Sequence, residues 1–298
     1  MDELILFLQN QDVEFYRNKS LRQMCSIGIG GTADLFIVPD GIEKTVALLN
    51  FLSSTDFKYR VVGNMTNILP ADHKVESILI STSALKRISF DKNLVFAECG
   101  ASFSSLLIKA ANKSLGGLES LFGIPGTVGG MLYMNAGAYG HDISERLLDV
   151  DVYCPIDNSL KRIPSKKLYF SYRDSRIKRD KLIVLSARFA FDTGEREQIL
   201  ESLRNIKNLR RDTQPLSRKS VGSVFKRCGD YSASYLIDKC GLKGTAVGGV
   251  MVSQKHAGFF INIGNGTASD FLELCDTVKN KVQEKYGVLL SEEFEYLQ

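Results

Sequence analysis

The sequence predicts an α+β protein made of two or three packed units. Its 298 residues, 44% hydrophobic and 24% charged, are enough for several cores. Segments rich in β-branched residues alternate with short amphipathic helices, and the order helix, two strands, helix, strand predicts a terminal unit of about 85 residues. Neither G-x-G-x-x-G after a strand nor G-x-x-x-x-G-K-[ST] occurs, which excludes the Rossmann and P-loop patterns.

The hydrophobic periodicity and the end signals locate the individual elements. Two capping boxes, Asp40 with Glu43 and Thr267 with Asp270, predict helix starts, and Gly287 predicts a helix end. The predicted helices cover 2–10, 40–52, 104–112, 195–211, 233–240 and 267–287, and the predicted strands cover 34–39, 59–62, 78–81, 95–98, 148–153, 182–191, 248–252, 258–263 and a last strand from 288.

Composition and charge exclude several classes of function. The net charge of +4 is mildly basic, and the basic clusters Arg210-Arg211 and Arg218-Lys219 are too short to predict nucleic-acid binding. The six cysteines form no C-x-x-C pair, which favours reduced thiols over zinc or a disulfide framework. No signal peptide and no apolar span occur, so we expect a cytoplasmic protein without a membrane partner, and we infer no obligate protein partner. Small anionic substrates remain compatible with the net charge.

Two glycine- or amide-rich loops are candidate ligand loops. The stretch 123–140, GIPGTVGGMLYMNAGAYG, carries no formal charge, and its glycines allow close backbone approach to a phosphate or diphosphate. The loop Gly63–Ile68 connects two predicted strands and could present its backbone to a ligand. Taken alone, each loop could equally be a turn.

Eight short motifs occur along the chain in a fixed order. They are IGGTAD (29–34), GNMTN (63–67), GIPGTVGG (123–130), MNAGAYG (134–140), YRDS (172–175), GSVFK (222–226), KHAGF (255–259) and GVLLSEE (287–293). With this set the chain resembles the UDP-N-acetylenolpyruvoylglucosamine reductase (MurB) family over essentially its whole length. The lack of a long insertion after YRDS is similar to the shorter subclass of that family.

The resemblance implies a fold and an activity. It implies an FAD-binding region of the PCMH type, in two α+β subdomains at 1–75 and 76–205, followed by a small α+β substrate-binding domain at 206–298. It also implies that NADPH reduces FAD, and that the enolpyruvyl ether of UDP-N-acetylglucosamine is then reduced to UDP-N-acetylmuramate for peptidoglycan synthesis.

The resemblance also implies three catalytic residues. Adding hydride to an enolpyruvyl group builds negative charge that needs stabilisation, and the adjacent carbon then needs a proton. Arg173 matches the arginine at the substrate carboxylate and flavin, Ser223 the proton donor, and Glu293 the acid that stabilises the enol. The alternatives are a surface ion pair for Arg173, a turn serine for Ser223 and a solvated acidic tail for Glu293, where Glu292 and Glu295 make the register critical.

Binding residues follow from the same motifs. Arg210 could instead be an exposed helix residue, and His256 in KHAGF is expected to be structural. The implied FAD contacts are Gly63, Asn64, Met65, Thr66, Asn67, Ile68, Gly123, Ile124, Gly126, Thr127, Val128, Gly130, Asn135, Ala136 and Gly137, and the implied substrate contacts are Tyr172, Arg210, Gln214 and Lys226.

The chain departs from the family pattern at six positions. Gly28 replaces a basic residue, Thr32 a proline, Met65 a glycine, Arg227-Cys228 an Asn-Pro pair and Glu295 a basic residue. Because Met65 lies in the implied FAD loop and carries a side chain, we expect a different loop backbone there or weaker FAD binding. Two alternative functions stay open: another PCMH-type FAD oxidoreductase, and a nucleotide-sugar binder that has lost activity.

Overall fold

The computed structural model describes residues 1–298 and contains eight α-helices and nineteen strands. The helices are α1 (Asp2–Asn10), α2 (Ile42–Ser53), α3 (Phe103–Ala111), α4 (Val128–Tyr133), α5 (Arg176–Arg179), α6 (Arg196–Thr213), α7 (Ala233–Lys239) and α8 (Ala268–Tyr286). The strands are β1 (Glu14–Ser20), β2 (Thr32–Val38), β3 (Tyr59–Val62), β4 (Ile68–Pro70), β5 (Ile78–Ser81), β6 (Ile88–Asp91), β7 (Leu94–Glu98), β8 (Leu115–Gly116), β9 (Gly137–Ala138), β10 (His141–Asp142), β11 (Leu147–Cys154), β12 (Ser159–Pro164), β13 (Ile183–Ala190), β14 (Asp192–Thr193), β15 (Lys219–Ser223), β16 (Ala246–Val247), β17 (Val250–Val252), β18 (Phe259–Asn262) and β19 (Glu295–Leu297).

The chain folds into two units, each assembled from separate stretches of sequence. The first contains residues 1–17, 35–64 and 78–208, and the second contains residues 18–34, 65–77 and 209–298. The finer division at residues 75 and 205 stays a prediction. None of the eight helices combines the length and the apolar character that crossing a bilayer requires.

The first unit contains two hydrophobic cores. One lies under the antiparallel sheet β12-β11-β13-β7-β6 and includes the apolar face of α3, with Phe103 and Phe189 at an edge-to-face distance of 6.4 Å. The other packs α1 and α2 against the parallel strands β2, β5 and β3. Loop carbonyl and amide groups at the strand ends can therefore form a ligand surface without disturbing either core.

In the second unit, α8 packs against the antiparallel sheet β15-β18-β17-β16, and α7 packs against α8. The helix α8 buries Phe271, whose ring lies 5.6 Å from Phe260 of β18 and 5.2 Å from Phe294 near the chain end. A separate parallel pair joins β4 to β19. This pair fixes the last residues of the chain beside the loop that precedes β4.

Most predicted elements are confirmed, but the predicted start of α2 is wrong. Its N-cap is Gly41, which offers no side-chain acceptor, and Asp40 instead forms an ion pair with Lys44 at 3.0 Å. By contrast, the box of Thr267 and Asp270 at the start of α8 is confirmed. The helix also ends as predicted, at Gly287 with a left-handed φ of 67°.

The predicted strand from residue 288 is also wrong, because the terminal strand β19 begins only at Glu295. The apolar residues that suggested a strand lie in an irregular segment before it. Several elements were missed, and two of them lie in the candidate motifs: β15, whose sequence KSVGS is polar and contains glycine, and α4, which starts inside the glycine stretch. Tertiary pairing creates the first, and the side chain of Thr127, which accepts a hydrogen bond from the Gly130 N–H, starts the second.

Candidate active site

In the first unit, two of the motifs lie against each other. The Asn135 amide Nδ2 donates to the Ser171 carbonyl at 3.0 Å, and Arg173 Nη2 donates to the Gly137 carbonyl at 2.9 Å. A third bond joins Ser175 Oγ to the Tyr133 carbonyl at 2.9 Å. The MNAGAYG and YRDS motifs therefore form one surface, although they are well separated in sequence.

Arg173 lies at the corner of a tight turn. Ser171 and Asp174 exchange two backbone hydrogen bonds, of 3.0 and 3.2 Å, so that Tyr172 and Arg173 form the tip. Arg173 has a φ of 55°, in the left-handed region that side chains other than glycine rarely adopt. Its guanidinium lies 5.0 Å from the centre of the exposed Tyr172 ring. Backbone strain kept at a polar residue in this way is typical of a site where the side chain must point in a fixed direction.

Asn135 contains a buried acceptor with no protein donor. Its side chain is 3% exposed, and its Nδ2 is fixed by the Asp142 carboxylate at 3.2 Å as well as by Ser171. The Oδ1 atom has no hydrogen-bond partner. Buried polar atoms are nearly always satisfied, so this oxygen fits a ligand that brings an N–H group. The ring system of FAD carries such a group.

The glycine stretch does not form the open N–H cradle that its composition suggests. The N–H groups of Val128 and Gly129 donate to the carbonyls of Ala101 and Cys99 at 2.9 and 2.8 Å. Four further N–H groups are also used, those of Gly123, Ile124, Gly126 and Gly130. These N–H groups already form hydrogen bonds within the protein, so they cannot act as a run of free donors. What the stretch offers a ligand is close approach, because its residues are small.

The two ligand loops approach each other within the first unit at Gly63. A Cβ atom at this position would lie 2.6 Å from Thr127 Oγ1, which is the hydroxyl that caps α4. Only a residue without a side chain allows this approach. The glycine at 63 is thus required by its neighbour and not by its own φ.

We expect Gly63→Ala to weaken FAD retention by roughly tenfold, because a displaced Thr127 loses its cap bond and shifts the start of α4. The flavin absorbance per protein after purification, followed by titration of the apoprotein with FAD, measures the effect. Gly41→Ala is the control, since a Cβ there meets no atom within 4 Å. Equal FAD affinity in both variants would contradict the prediction.

In the second unit, two carbonyl groups of the loop Gly63–Ile68 accept hydrogen bonds from Ser26. The carbonyls of Met65 and Thr66 accept from the N–H and hydroxyl of Ser26, at 3.4 and 3.3 Å. Met65 itself has a φ of 50° and is 3% exposed. Met65 therefore adopts the left-handed conformation, whose cost of about 1 kcal/mol is offset by roughly 2 kcal/mol from burying its side chain. The expected difference in loop backbone or FAD affinity stays a prediction.

The GSVFK motif and the chain end lie side by side in the second unit. The Glu293 N–H donates to the Val224 carbonyl at 2.8 Å, and the Lys226 N–H donates to the Ser291 carbonyl at 2.9 Å. Ser223, which directly precedes Val224, is exposed and follows Gly222, whose φ is 85°. Two of the three predicted catalytic residues are thus brought together on neighbouring backbone segments.

Asn67 joins the first ligand loop to the same segment. Its Nδ2 donates to the Glu293 carbonyl at 3.0 Å, and its own carbonyl accepts from the Glu295 N–H at 2.9 Å. The family resemblance implies an FAD contact for Asn67. The structure shows that the side-chain amide of Asn67 also holds the backbone of Glu293. No sequence signal could reveal it, because the two residues are 226 positions apart.

The predicted substrate contacts differ in their surroundings. Arg210 is only 7% exposed, so the alternative of an exposed helix residue is wrong. Gln214 donates its N–H to the Arg210 carbonyl at 2.8 Å, and its buried Oε1 has no partner. Lys226 is half-buried and forms no ion pair in the structure. Gln214 Oε1 can accept a hydrogen bond from an N–H or O–H group of a ligand, and Lys226 Nζ can bind an anionic group.

Two further residues are explained by their neighbours. A Cβ at Gly28 would lie 2.7 Å from Lys219 Cδ, so the Lys219 side chain occupies the space that a larger residue at 28 would need. His256 accepts from the Gly258 N–H at 3.2 Å through Nδ1 and lies edge-on to Phe259, and burial lowers its pKa. These contacts agree with a structural role for His256.

Comparison with known proteins agrees with this arrangement. Residues 33–156 match the model of an FAD binding domain, and residues 214–297 match the model of the UDP-N-acetylenolpyruvoylglucosamine reductase C-terminal domain. The fold is thus an FAD-binding domain of the PCMH type followed by the small C-terminal domain, as predicted.

Relatives that match over nearly the whole chain are also named UDP-N-acetylenolpyruvoylglucosamine reductase. The chain is 38% identical to UDP-N-acetylenolpyruvoylglucosamine reductase of Caldicellulosiruptor bescii over 99% of this chain and 94% of that protein. It is also 38% identical to the enzyme of Clostridium novyi over 94% and 91% of the two chains.

A solved structure gives the same result. The crystal structure of the reductase from Thermus caldophilus superimposes with a TM-score of 0.80 and 32% identity, covering 96% of this chain and 99% of that one. These matches do not favour the alternatives of another PCMH-type oxidoreductase or an inactive binder. The chain belongs to the UDP-N-acetylenolpyruvoylglucosamine reductase (MurB) family, whose members are FAD-dependent oxidoreductases with NADPH as the reductant.

Proposed function

We propose that Arg173, Ser223 and Glu293 carry out the family's reaction, the reduction of the enolpyruvyl group of UDP-N-acetylglucosamine enolpyruvate. The main observation is that Ser223 and Glu293 lie on adjacent backbone segments held by the bond from the Glu293 N–H to the Val224 carbonyl, 2.8 Å long. A proton donor and an acid that act on neighbouring atoms of one small group must be close together.

Bound FAD supplies a hydride carrier between NADPH and the terminal carbon of the enolpyruvyl group. The residues proposed to contact it include the small residues Gly126, Ala136 and Gly137, and Asn135, whose Oδ1 lacks a donor. The other proposed contacts are Gly63, Asn64, Met65, Thr66, Asn67, Ile68, Gly123, Ile124, Thr127, Val128 and Gly130. For Asn67 the backbone is the proposed contact, because its side-chain amide is used by Glu293.

Arg173 holds the substrate carboxylate. The guanidinium is planar, permanently charged and able to bind both carboxylate oxygens, and one of its nitrogens is already anchored on the Gly137 carbonyl at 2.9 Å. When hydride reaches the terminal carbon, negative charge spreads from the adjacent carbon into the carboxylate. A fixed cation stabilises that charge without reorganisation.

Ser223 then supplies the proton to the adjacent carbon. A serine hydroxyl is a weak acid, but the enol-like anion formed by hydride addition is a strong base. Its exposure on β15 keeps the hydroxyl accessible to a ligand. Glu293 stabilises the enol by a hydrogen bond or a proton at the carboxylate of the substrate. One hydride and one proton together convert the enolpyruvyl ether into the lactyl ether.

The nucleotide part of the substrate is proposed to contact Tyr172, Arg210, Gln214 and Lys226. Lys226 is three residues from Ser223 and carries an ammonium group without an ion pair, which suits a diphosphate. Gln214 offers a buried acceptor to a donor of the substrate. Tyr172 and Lys226 belong to the YRDS and GSVFK motifs, which also contain the proposed catalytic residues Arg173 and Ser223.

Anaerobic NADPH consumption by the purified flavoprotein, with and without UDP-N-acetylglucosamine enolpyruvate, tests this function. We expect consumption that requires the substrate, at one NADPH per UDP-N-acetylmuramate formed. Flavin reduction whose rate does not depend on the substrate would agree with the FAD-binding fold but would contradict the proposed substrate. A colourless protein that binds the sugar nucleotide without consuming NADPH would indicate a binder.

We expect Arg173→Ala to slow substrate reduction by about 10²–10³-fold, because it removes the fixed cation at the developing charge. Flavin reduction by NADPH should change much less. Stopped-flow absorbance of the flavin separates the two half-reactions. Arg176→Ala is the matched control, since Arg176 begins α5 and its guanidinium pairs with the Asp180 carboxylate at 2.7 Å. An unchanged rate with the enolpyruvyl substrate would show that Arg173 has another role.

We further propose that the protein works in the cytoplasm without a partner protein. Its six cysteines are all free thiols, four of them buried, which suits a reducing compartment. NADPH and nucleotide sugars are available there. Recovery of the protein in the cytosolic fraction of cells would support the first statement, and full activity of the purified lone chain would support the second.

A further inference from the structure

The proposed active-site glutamate lies in a segment rich in carboxylates. Glu292, Glu293 and Glu295 follow one another near the chain end, and all three are half-buried. The backbone of this segment is fixed on one side by Val224 and on another by Asn67. These bonds fix the path of the chain, but the direction of each side chain needs a further determinant.

Two side chains of this segment contact helix α8. The Glu292 carboxylate lies 2.5 Å from Lys279 Nζ of α8, and the Phe294 ring lies 5.2 Å from Phe271 of the same helix. Glu292 and Phe294 therefore both face α8, and Glu292 is the carboxylate that α8 binds. Where a chain is extended, the residue between two that share a face points the other way.

Lys279 is bound to two carboxylates at once. Besides Glu292, its ammonium lies 3.2 Å from Asp276 Oδ1. Without the ammonium, Glu292 would face Asp276 across a short distance, and like charges so close repel each other. The segment would then lose its attraction to α8 at the residue that immediately precedes Glu293.

We propose that Lys279 is a positioning residue for Glu293: by binding Glu292 against α8, it keeps Glu293 directed away from α8 in a fixed orientation. The proposal rests on the proposed function of Glu293. Lys279 itself does not act on the substrate. A partly exposed ion pair contributes little to global stability, so its effect should be local.

Lys279→Met tests the proposal in the holoenzyme. We expect reoxidation of the reduced flavin by the enolpyruvyl substrate to slow by roughly tenfold, as for a small displacement of a catalytic group. Flavin reduction by NADPH and the thermal midpoint should stay close to the wild-type values. Lys279→Arg keeps the charge and should recover most of the rate. The control Lys281→Met removes an exposed lysine of the same helix, paired with Glu284 at 3.0 Å, and should change nothing.

A double-mutant cycle distinguishes positioning from a general weakening. If Lys279 acts through Glu293, Lys279→Met causes no further loss when Glu293 is already glutamine. The same tenfold loss in both backgrounds would overturn the proposal. So would a wild-type rate in Lys279→Met, or an equal decrease of both half-reactions.

Amide hydrogen exchange gives a readout that does not depend on turnover. Lys279→Met should speed exchange in the segment that contains the Glu293 amide, while Lys281→Met leaves it unchanged. If the wild-type protein failed to reduce the substrate, the proposed function would be wrong, yet the exchange result would still decide whether Lys279 holds this segment. Unaltered exchange in Lys279→Met would refute that role.

Discussion

We expect Ser223→Ala to slow reoxidation of the reduced flavin by the enolpyruvyl substrate by about 10²–10⁴-fold, the usual contribution of a positioned proton donor. Hydride transfer from NADPH to the flavin needs no such proton, so the reductive half-reaction should keep its rate. Stopped-flow flavin absorbance under anaerobic conditions measures both steps in one preparation. The loss should appear in kcat more than in KM, since the hydroxyl acts in the transition state.

Two controls make this result specific. Ser217→Ala removes an exposed serine of the turn before β15 and should leave both half-reactions unchanged. In the wild-type protein, a solvent isotope effect on reoxidation should accompany proton transfer from Ser223. If Ser223→Ala lowered both half-reactions equally, the serine would be needed for the fold or for flavin binding, and its role as proton donor would be wrong.

We expect Glu293→Gln to lower the same half-reaction by about 10²-fold or more, because the amide keeps the size of the side chain but loses the acid that stabilises the enol. The Glu293 backbone N–H and carbonyl bonds to Val224 and Asn67 do not depend on the side chain. The fold and the FAD content should therefore survive. Rates of flavin reoxidation against substrate concentration measure the effect.

Glu292→Gln is the matched comparison, since it is the same substitution one residue away. Its amide oxygen can still accept a hydrogen bond from Lys279, so we expect a loss of at most about tenfold. A large loss in Glu292→Gln together with a small one in Glu293→Gln would show that the assignment is displaced by one residue. The Glu292 carboxylate pairs with Lys279 of α8, so Glu292→Gln reports on that ion pair.

The fold was predictable where local pattern and tertiary structure agree. Helix α8 has an apolar stripe, a capping box at Thr267 and a glycine end at Gly287, and all three were visible in the sequence. The predictions failed where local signals were outweighed. Asp40 looks like an N-cap but is bound by Lys44, and β15 is a strand only because β18 pairs with it.

The sequence by itself determined the family, the cofactor and the identity of the candidate residues, because short motifs such as YRDS and GSVFK carry that information in their letters. Only the tertiary structure decided how those residues are held. It brings the Glu292 carboxylate to Lys279, and it joins the Asn67 side-chain amide to the Glu293 carbonyl. It also uses N–H groups of the glycine stretch in hydrogen bonds to residues 99–104, to Leu121 and within the stretch itself. The reason is that hydrogen bonds and ion pairs between residues far apart in sequence leave no periodicity or spacing to read.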